Sequence, residues 1–216
     1  MDSQKETLAL LDYRRRVAEI YAGVRSPAAS AENRWQEWRK HRNRLFADHP
    51  LSPLAAHQKP TFGSLSYFPY NPALRFVLAL DRATEESIEE IELADDGPIK
   101  MRSAGTIPSE IGDAQQTLTV FRILGYGGGL FLPFRDATNG AKSRTSPQET
   151  ADEFYSYGGG RYLLDTIKSA DLGSENGRLI IDFNFAYNPS CAYNPRWHCP
   201  LAPRENHLNV PIRAGE

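Results

Sequence analysis

The sequence contains little cysteine and no long apolar run, and each shortage excludes a class of protein. Its two cysteines, Cys191 and Cys199, are too few for the disulfide framework of a small secreted domain, so we expect free thiols. No stretch approaches the roughly 20 apolar residues of a membrane-spanning helix. The apolar run at residues 8–11 is too short for the core of a signal peptide. The sequence therefore predicts a cytoplasmic protein without a membrane partner.

An excess of positive charge is also lacking. Lysine and arginine number 25 against 27 aspartate and glutamate residues, which gives a formal net charge of -2. A nucleic-acid binder usually carries a concentrated cationic surface. The basic residues 34–44 are interleaved with Glu37, Trp35 and Trp38, a pattern typical of a solvated helix face. We expect no nucleic-acid partner, and the sequence leaves open whether the chain forms a homo-oligomer.

Common catalytic and cofactor motifs are missing as well. There is no nucleophile elbow, HExxH motif or EF-hand loop, so the sequence indicates no particular cofactor. The glycine runs at 127–129 and 158–160 lack the lysine and hydroxyl of a phosphate-binding loop. The composition, 40% hydrophobic and 24% charged over 216 residues, is that of a globular chain. We expect a single domain, with a helical segment at 1–48 and a β-rich core at 51–216 that includes a long loop near 139–156.

Two amphipathic helices are predicted at the N-terminus. Apolar residues recur near helical spacing over residues 7–24. Ser30 is the expected N-cap of a second helix, which ends near Ala47 because His49 precedes a proline. The spacing places two tryptophans on one stripe of this helix and predicts that they are packing residues. The stripe consists of Trp35, Trp38, Arg42, Leu45 and Phe46.

From residue 51 onwards the sequence favours strands. Apolar runs of strand length occur at 74–80, 87–93, 118–124, 129–134 and 179–185, and the glycine-rich residues 125–128 indicate a hairpin. Strands in succession without alternating helices predict an α+β, mainly β fold, in which an antiparallel sheet or barrel-like core follows two N-terminal helices. The polar residues 139–152 predict a surface loop, either a binding loop or simple decoration.

Asp182 and Asn184 form the first candidate site. Residues two apart in a strand share a face, so these two side chains would lie together while Ile181 and Phe183 face the core. Polar groups on an otherwise apolar strand must be solvated or hydrogen-bonded. Two interpretations follow: an exposed or structural network, or a carboxylate and an amide that line a pocket.

Arg161 and Asp136 form the second candidate site. Arg161 follows three glycines, whose bare backbone permits close approach of a ligand or of a neighbouring chain segment. A guanidinium at this position would bind a carboxylate or phosphate through two parallel hydrogen bonds. The alternative is an internal ion pair with Asp136, Asp182 or Glu205.

The two cysteines lie among predicted turns. Two copies of Tyr-Asn-Pro, at 187–189 and 193–195, predict consecutive turns. Cys191 would be a nucleophile if a base such as His198 lay near it. A zinc site made of Cys191, His198 and Cys199 would have three ligands, whereas structural zinc takes four. We therefore favour inert thiols and predict no metal site.

Four motifs in the last part of the chain resemble a known family. They read FxPFxDxTxG, YxxGRY, DFNxAYNPxCAYN and CPxxPxENxLxxxIxAGE. They are similar to the bacterial and archaeal family catalogued as domain of unknown function 1684, with a weaker resemblance upstream to about Trp35 and a longer insertion between Gly140 and Tyr157. No activity is established for that family, so the resemblance implies no reaction. The polar motif positions are Asp136, Thr138, Arg161, Asp182, Asn184, Asn188, Cys191, Cys199, Glu205, Asn206 and Glu216.

Three functional hypotheses stay open, and the sequence does not decide whether the chain is an enzyme. In the first, a small anionic molecule binds at one end of the sheet, Arg161 holds it, and Asp182 or Glu205 acts as general acid or base. The expected substrate-binding residues are Asp136, Arg161, Asn184 and Asn206. In the second, the chain is a non-catalytic module for a small anion or, through its basic N-terminal helix, for a protein. In the third, the motifs are structural and hold a C-terminal segment threaded through the fold.

Overall fold

The computed structural model describes residues 3–82, 88–112, 114–125, 128–140 and 155–216. The loop predicted at 139–152 lies, from residue 141 onwards, outside these described residues. Within the described ranges, no helix combines the length and the apolar character that crossing a membrane requires.

Two helices form the N-terminal part, as predicted. Helix α1 spans Ser3–Arg25 and helix α2 spans Ala31–Asp48. The Ser30 side chain accepts a hydrogen bond from the backbone N–H of Asn33 at 3.2 Å and so caps α2. The charged Arg42 lies among the buried residues of α2 and therefore needs an internal partner. These buried residues are the predicted stripe: Trp35, Trp38, Arg42, Leu45 and Phe46.

The strands form two antiparallel sheets. Their bounds are β1 Arg75–Leu78, β2 Asp81–Arg82, β3 Ile88–Glu92, β4 Pro98–Ile111, β5 Ala114–Ile123, β6 Gly129–Phe134, β7 Arg161–Asp165, β8 Ser174–Glu175 and β9 Arg178–Asp182. The larger sheet has the order β2-β4-β5-β6-β7, with β3 also paired to β4, and the smaller has the order β1-β9-β8. The predicted α+β fold with an antiparallel sheet is confirmed, and the described strands do not close into a barrel.

The sequence patterns miss the longest described strand, β4. Gly105 and Pro108 interrupt its apolar pattern and are typical of turns rather than strand interiors. In the structure the register shifts at an irregularity between Ser103 and Gly105, which keeps the strand continuous. Pro108 lies opposite Thr117 of β5, at a point where the described residues pair with only one side of β4. The missing N–H of this proline therefore interrupts little of the sheet.

Strand β9 ends earlier than predicted. The pattern predicts a strand over residues 179–185, but β9 stops at Asp182 and a 3-10 turn, Phe183–Phe185, follows. The Asp182 carboxylate accepts a hydrogen bond from the backbone N–H of Asn184 at 3.0 Å and bends the chain. The prediction that Asp182 and Asn184 share one strand face is therefore wrong, because only Asp182 belongs to the strand.

Two hydrophobic clusters lie on opposite faces of the larger sheet. Strand β5 shows the division, because Val120 belongs to one cluster and its neighbour Phe121 to the other. We call them the helix-side cluster and the tail-side cluster, after the segments that cover them. The helix-side cluster includes Tyr21, Trp35 and Trp38, and the tail-side cluster includes Leu208, Ile212 and Ala214.

Candidate functional site

Arg161, at the start of β7, binds backbone carbonyls of the C-terminal segment, residues 203–216. Its Nη1 donates to the oxygens of Ala214 at 2.5 Å and Glu216 at 3.0 Å, and its Nη2 donates to that of Ile212 at 2.9 Å. The same Nη2 lies 2.5 Å from Oδ2 of Asp136, and both side chains are fully buried. Burial lowers the pKa of Arg161, and the Asp136 charge opposes that shift. Of the two interpretations of Arg161, the structure contains the internal ion pair.

Asp136 binds the same segment directly. Its Oδ1 accepts hydrogen bonds from the backbone N–H groups of Thr138 at 2.6 Å and Ile212 at 3.2 Å. The glycine run beside this pair also serves an internal contact. Gly160 has a φ of +92°, and a Cβ there would come within 2.5 Å of the Phe134 carbonyl oxygen. The bare backbone thus permits close approach of a neighbouring strand.

Asn206 joins two strands of the larger sheet. It is fully buried, and its Oδ1 accepts a hydrogen bond from the N–H of Thr119 at 2.7 Å. Its Nδ2 donates to the carbonyls of Thr119 at 2.9 Å and Pro133 at 2.7 Å. The side chain thus replaces the pairing that β5 and β6 lack at this level. The adjacent Glu205 is exposed, on the turn Arg204–Asn206.

Asn184 attaches the chain before β1 and helix α2 to the core. Its Oδ1 accepts a hydrogen bond from the N–H of Asn71, and its Nδ2 donates to the Asn71 carbonyl, both at 2.8 Å. The same Nδ2 donates to Oδ1 of Asp182 at 2.7 Å. The Asn184 carbonyl in turn accepts a hydrogen bond from Nε1 of Trp35 at 2.8 Å. These bonds satisfy the fully buried amide within the protein.

Asp182 lines a surface cavity of about 340 Å³, which we call the Asp182 cavity. Arg25, Arg34 and Arg75 line it too, together with Glu175, so a buried carboxylate shares the cavity with three arginines. Arg75 is paired with Glu175 at 3.6 Å and Arg25 with Asp171 at 2.9 Å. Burial raises the pKa of Asp182, although hydrogen bonds from Asn184 and the charges of Arg75 and Arg34 oppose the shift. The structure therefore brings Asp182 to a cavity with arginines other than Arg161.

Arg42 and Glu216 form a second buried ion pair. The Arg42 Nη2 donates to Oε2 of Glu216 at 2.7 Å, and its Nε donates to the Tyr67 hydroxyl at 3.3 Å. Oε2 of Glu216 also accepts a hydrogen bond from the N–H of Asn188 at 3.0 Å, and its Oε1 accepts one from the Tyr193 hydroxyl. Burial alone would lower the pKa of Arg42, but the charge of Glu216 and the nearby Tyr67, Tyr193 and Tyr21 together outweigh it and raise that pKa well above its ordinary value.

A small cavity lies beside this ion pair, between α1 and residues 187–190. We call it the α1 cavity, and its volume is about 60 Å³. Two atoms of its lining residues, the Tyr187 hydroxyl oxygen and Oδ1 of Asn188, are buried and have no hydrogen-bond partner among the described residues. Burial raises the pKa of Tyr187 well above its ordinary value, so the hydroxyl keeps its proton. Other lining residues are Tyr13, Tyr21, Arg42, Tyr162, Lys168 and Ser190.

The polar residues that surround this cavity were not predicted as a site. One feature of the sequence, the charged Arg42, does point to a buried polar contact here. Arg42 interrupts an apolar helix stripe, and a charged residue in such a stripe almost always has a buried partner. Tyr187 carries no comparable signal, because a tyrosine in a predicted turn is ordinary.

The two cysteines are free and half-buried. The described ranges hold no group of three or more histidine, cysteine and acidic side chains arranged to bind a metal.

The fold and these polar contacts define an α+β protein whose C-terminal segment is fixed by buried polar side chains. Residues 60–216 match the family described as Protein of unknown function (DUF1684), and the chain belongs to this family. The match begins after α2, later than the upstream limit near Trp35 that the motifs suggest.

A solved structure shares this fold. It is the solution NMR structure of an uncharacterized protein from Haloarcula marismortui, which is 30% identical to this chain, with a TM-score of 0.57. The similarity covers 86% of this chain and 92% of that one. No curated protein is significantly similar. The comparisons therefore establish the family and the fold, and the function has to be argued from the geometry.

Proposed function

We propose that the protein binds a small carboxylate-bearing molecule in the α1 cavity. The observation that carries this proposal is the pair of buried, unpaired atoms, the Tyr187 hydroxyl and Oδ1 of Asn188. Native proteins satisfy nearly all buried polar atoms, and each exception calls for a water, an ion or a ligand. A donor hydroxyl and an amide acceptor on two residues that line the same cavity fit a molecule that carries both an acceptor and a donor. A short hydroxycarboxylic acid such as glycolate or lactate has both groups.

Charge and size support an anion of only a few non-hydrogen atoms. The cationic residues Arg14, Arg42 and Lys168 line the α1 cavity, and no acidic residue is among the described residues that line it. The carboxylates that pair with Arg42 and Lys168, those of Glu216 and Asp165, belong to residues outside this lining. Rings of Tyr13 and Tyr21 supply apolar surface on the α1 side. One water needs about 10–15 Å³ of such space, so a cavity of about 60 Å³ suits a ligand of a few atoms.

The residues that the sequence singles out would act on this site indirectly. Arg161 and Asp136 fix the C-terminal segment, and Glu216 of that segment binds both Arg42 and the backbone of Asn188. In this proposal the C-terminal segment sets the positions of Arg42 and of Oδ1 of Asn188 in the α1 cavity. Asn184 and Asn206 have the same supporting role, whereas the exposed Glu205 lines neither the α1 cavity nor the Asp182 cavity.

Thermal unfolding with glycolate, lactate and acetate, each compared with chloride at equal ionic strength, tests the proposal. A ligand of the folded state raises Tm with concentration, and the rise should be lost in Tyr187→Phe, which removes one oxygen atom. Tyr70→Phe is the matched control, because Tyr70 packs on Trp35 outside the cavity lining. No shift in the wild type, or an equal shift in Tyr187→Phe, would contradict binding at the Tyr187 hydroxyl.

A second candidate function rests on the Asp182 cavity. A carboxyl group whose pKa is raised by burial, beside arginines that can hold an anion, suits general acid–base chemistry. If this cavity is the working site, Arg75→Gln should remove the stabilisation that phosphate or carboxylates confer. The exposed Arg178→Gln, on the neighbouring strand β9, should retain it. The same response in both variants would argue against an anion site at Asp182.

A further inference from the structure

The first half of α1 carries three leucines that the fold leaves exposed. The exposed fractions of Leu8, Leu10 and Leu11 are 57%, 51% and 55%. Further along the same helix the apolar side chains turn inwards, and Tyr21 and Val24 belong to the helix-side cluster. A single exposed leucine is ordinary, but three within one turn form a contiguous apolar surface, which is typical of a contact with another molecule.

Two arginines lie on the same side of the helix as these leucines. At 3.6 residues per turn, Leu8, Leu11 and Leu10 span an arc of about 160°, and Arg14 and Arg15 fall within that arc one turn further on. Both arginines are exposed. We call this surface the outer face of α1, and it consists of Leu8, Leu10, Leu11, Arg14 and Arg15.

The outer face carries positive charge that is not cancelled within it. Asp12 and Glu19, the acidic residues that follow Leu8 on α1, lie outside the arc. Asp12 is paired instead with Arg16, at 2.8 Å. The charge of the chain is also unevenly divided, because residues 1–48 contain 10 lysines and arginines against 7 acidic residues, whereas residues 49–216 contain 15 against 20. An anionic surface would therefore attract the helical part of the molecule and repel the rest.

The width and the charge of the outer face favour a broad anionic surface over another helix. One partner helix packs on a stripe of roughly 100°, which is narrower than the arc of the leucines. A second copy of this chain offers no complementary charge, because its outer face has the same two arginines and no acidic residue. A lipid surface, in contrast, can enclose a wide apolar arc and presents phosphates to the arginines.

We propose that the outer face of α1 binds the surface of an anionic membrane. The leucines enter the boundary between headgroups and acyl chains, and Arg14 and Arg15 extend to the lipid phosphates. The expectation of no membrane partner rested on the lack of a long apolar run, and it does not extend to a helix that lies on the surface. The inference is independent of the ligand proposed for the α1 cavity, since of these five residues only Arg14 lines that cavity.

Sedimentation with lipid vesicles tests the proposal. The wild type should bind phosphatidylcholine vesicles that contain about one third phosphatidylglycerol, and it should not bind vesicles of phosphatidylcholine alone. Salt at about 0.5 M should weaken the binding by screening. The double variants Leu8→Gln/Leu11→Gln and Arg14→Gln/Arg15→Gln should each lower the partition coefficient at least roughly tenfold, because one removes the apolar contact and the other the charge.

Matched controls remove the same kinds of side chain elsewhere on the surface. Ile88→Gln/Leu201→Gln removes two exposed apolar side chains, and Arg178→Gln/Arg196→Gln removes two exposed arginines. Both should bind as the wild type does, and circular dichroism checks that every variant is folded. Equal binding by controls and outer-face variants, or equal binding to neutral and anionic vesicles, would overturn the proposal.

Two further outcomes would assign the outer face to a different partner and so reject the membrane. One is a dimer in light scattering that Leu8→Gln/Leu11→Gln converts to a monomer, because a second copy would then cover the leucines. The other is binding of soluble polyglutamate, lost in both outer-face variants, by a protein that does not bind anionic vesicles. That result would indicate an acidic protein as the partner.

Tryptophan fluorescence reports whether the leucines enter the lipid. Trp35 and Trp38 are buried, so Leu11→Trp adds a tryptophan at the outer face. In anionic vesicles with brominated acyl chains, this variant should be quenched more strongly than the wild type. Leu201→Trp, at a half-exposed position away from α1, should be quenched no more than the wild type. Equal quenching of the two variants would contradict insertion of the outer face.

Discussion

Arg161 and Asp136 use a buried charge pair to fix a chain segment that has little regular pairing of its own. Arg161→Met leaves the Asp136 carboxylate buried without its cation, and breaking a buried pair in this way costs about 3–5 kcal/mol. We expect this loss in the free energy of unfolding measured with urea. The double variant Asp136→Asn/Arg161→Met should lose less than the sum of the two single variants, because no unpaired charge remains. Strict additivity would contradict the coupling.

The effect of the buried Asp182 carboxylate on the free energy of unfolding can be measured through its dependence on pH. Its pKa is raised above the ordinary 3.8, so the folded state binds this proton more tightly than the unfolded chain does. The stabilisation that this tighter proton binding by Asp182 contributes is therefore fully present below pH 3.8, and it is lost as the pH rises through the pKa of the folded state. Asp182→Asn keeps the oxygen that accepts from Asn184, so this variant should gain stability relative to the wild type with rising pH.

Urea unfolding of Asp182→Asn at several pH values between about 3 and 7 checks this sign. Asp81→Asn is the control, because Asp81 is exposed on the short strand β2. A stability difference between the wild type and Asp182→Asn that stays constant over this range would contradict the prediction. It would also weaken the case for acid–base chemistry in the Asp182 cavity.

At the scale of elements, local signals were sufficient where the chain needs no distant partner. The stripe of α2 and its Ser30 cap depend on residues three or four positions apart, and both were predicted. The end of β9 at Asp182 and the continuity of β4 were not predicted. The Asp182 side chain competes locally with strand extension, and the position of Pro108 is tolerable only because of where neighbouring strands stop. Both outcomes depend on tertiary context.

The candidate site shows the same limit. An internal ion pair with Asp136 was one of the alternatives named for Arg161, since opposite charges in neighbouring motifs can be matched from sequence. The α1 cavity could not be foreseen in this way. It is lined by Arg42 of α2, by Tyr187, which pairs with Tyr162 of β7 in an isolated bridge, and by Lys168 of the 3-10 turn Thr166–Lys168. Only the packing of the whole chain brings these three together.

At Gly215 the C-terminal segment passes close to the 3-10 turn Phe183–Phe185 and to Ala186. The φ of Gly215 is +74°, and a Cβ would meet the carbonyl oxygens of Phe183 and Ala186 at 2.7 Å. Gly215→Ala should therefore cost the left-handed conformation, about 1–2 kcal/mol, plus an overpacking cost of about 1–3 kcal/mol. Gly177→Ala is the matched control, because Gly177 has a φ of +75° and open space around it. Urea unfolding should show the larger loss for Gly215→Ala, and equal losses would contradict the close approach.

At the scale of the whole molecule, long-range polar bonds connect the two faces of the larger sheet. Arg42 of α2 binds Glu216 across 174 positions of sequence, and Trp35 binds the Asn184 carbonyl across 149. Helix α2 covers the helix-side cluster, whereas the C-terminal segment covers the tail-side cluster. A segment that packs on one face is thus tied to a helix on the other, so neither cluster should be able to open alone.

Leu132→Ala tests this coupling, because Leu132 is fully buried in the tail-side cluster while Trp35 and Trp38 report on the helix-side cluster. Such a truncation costs about 2–5 kcal/mol. In a Trp197→Phe background, tryptophan fluorescence should show the same fall in urea midpoint as far-UV circular dichroism, since coincident transitions mark two-state unfolding. If the fluorescence midpoint stayed in place while the circular dichroism midpoint fell, the two faces would unfold separately. The buried ion pairs would then be local clamps that do not couple the faces.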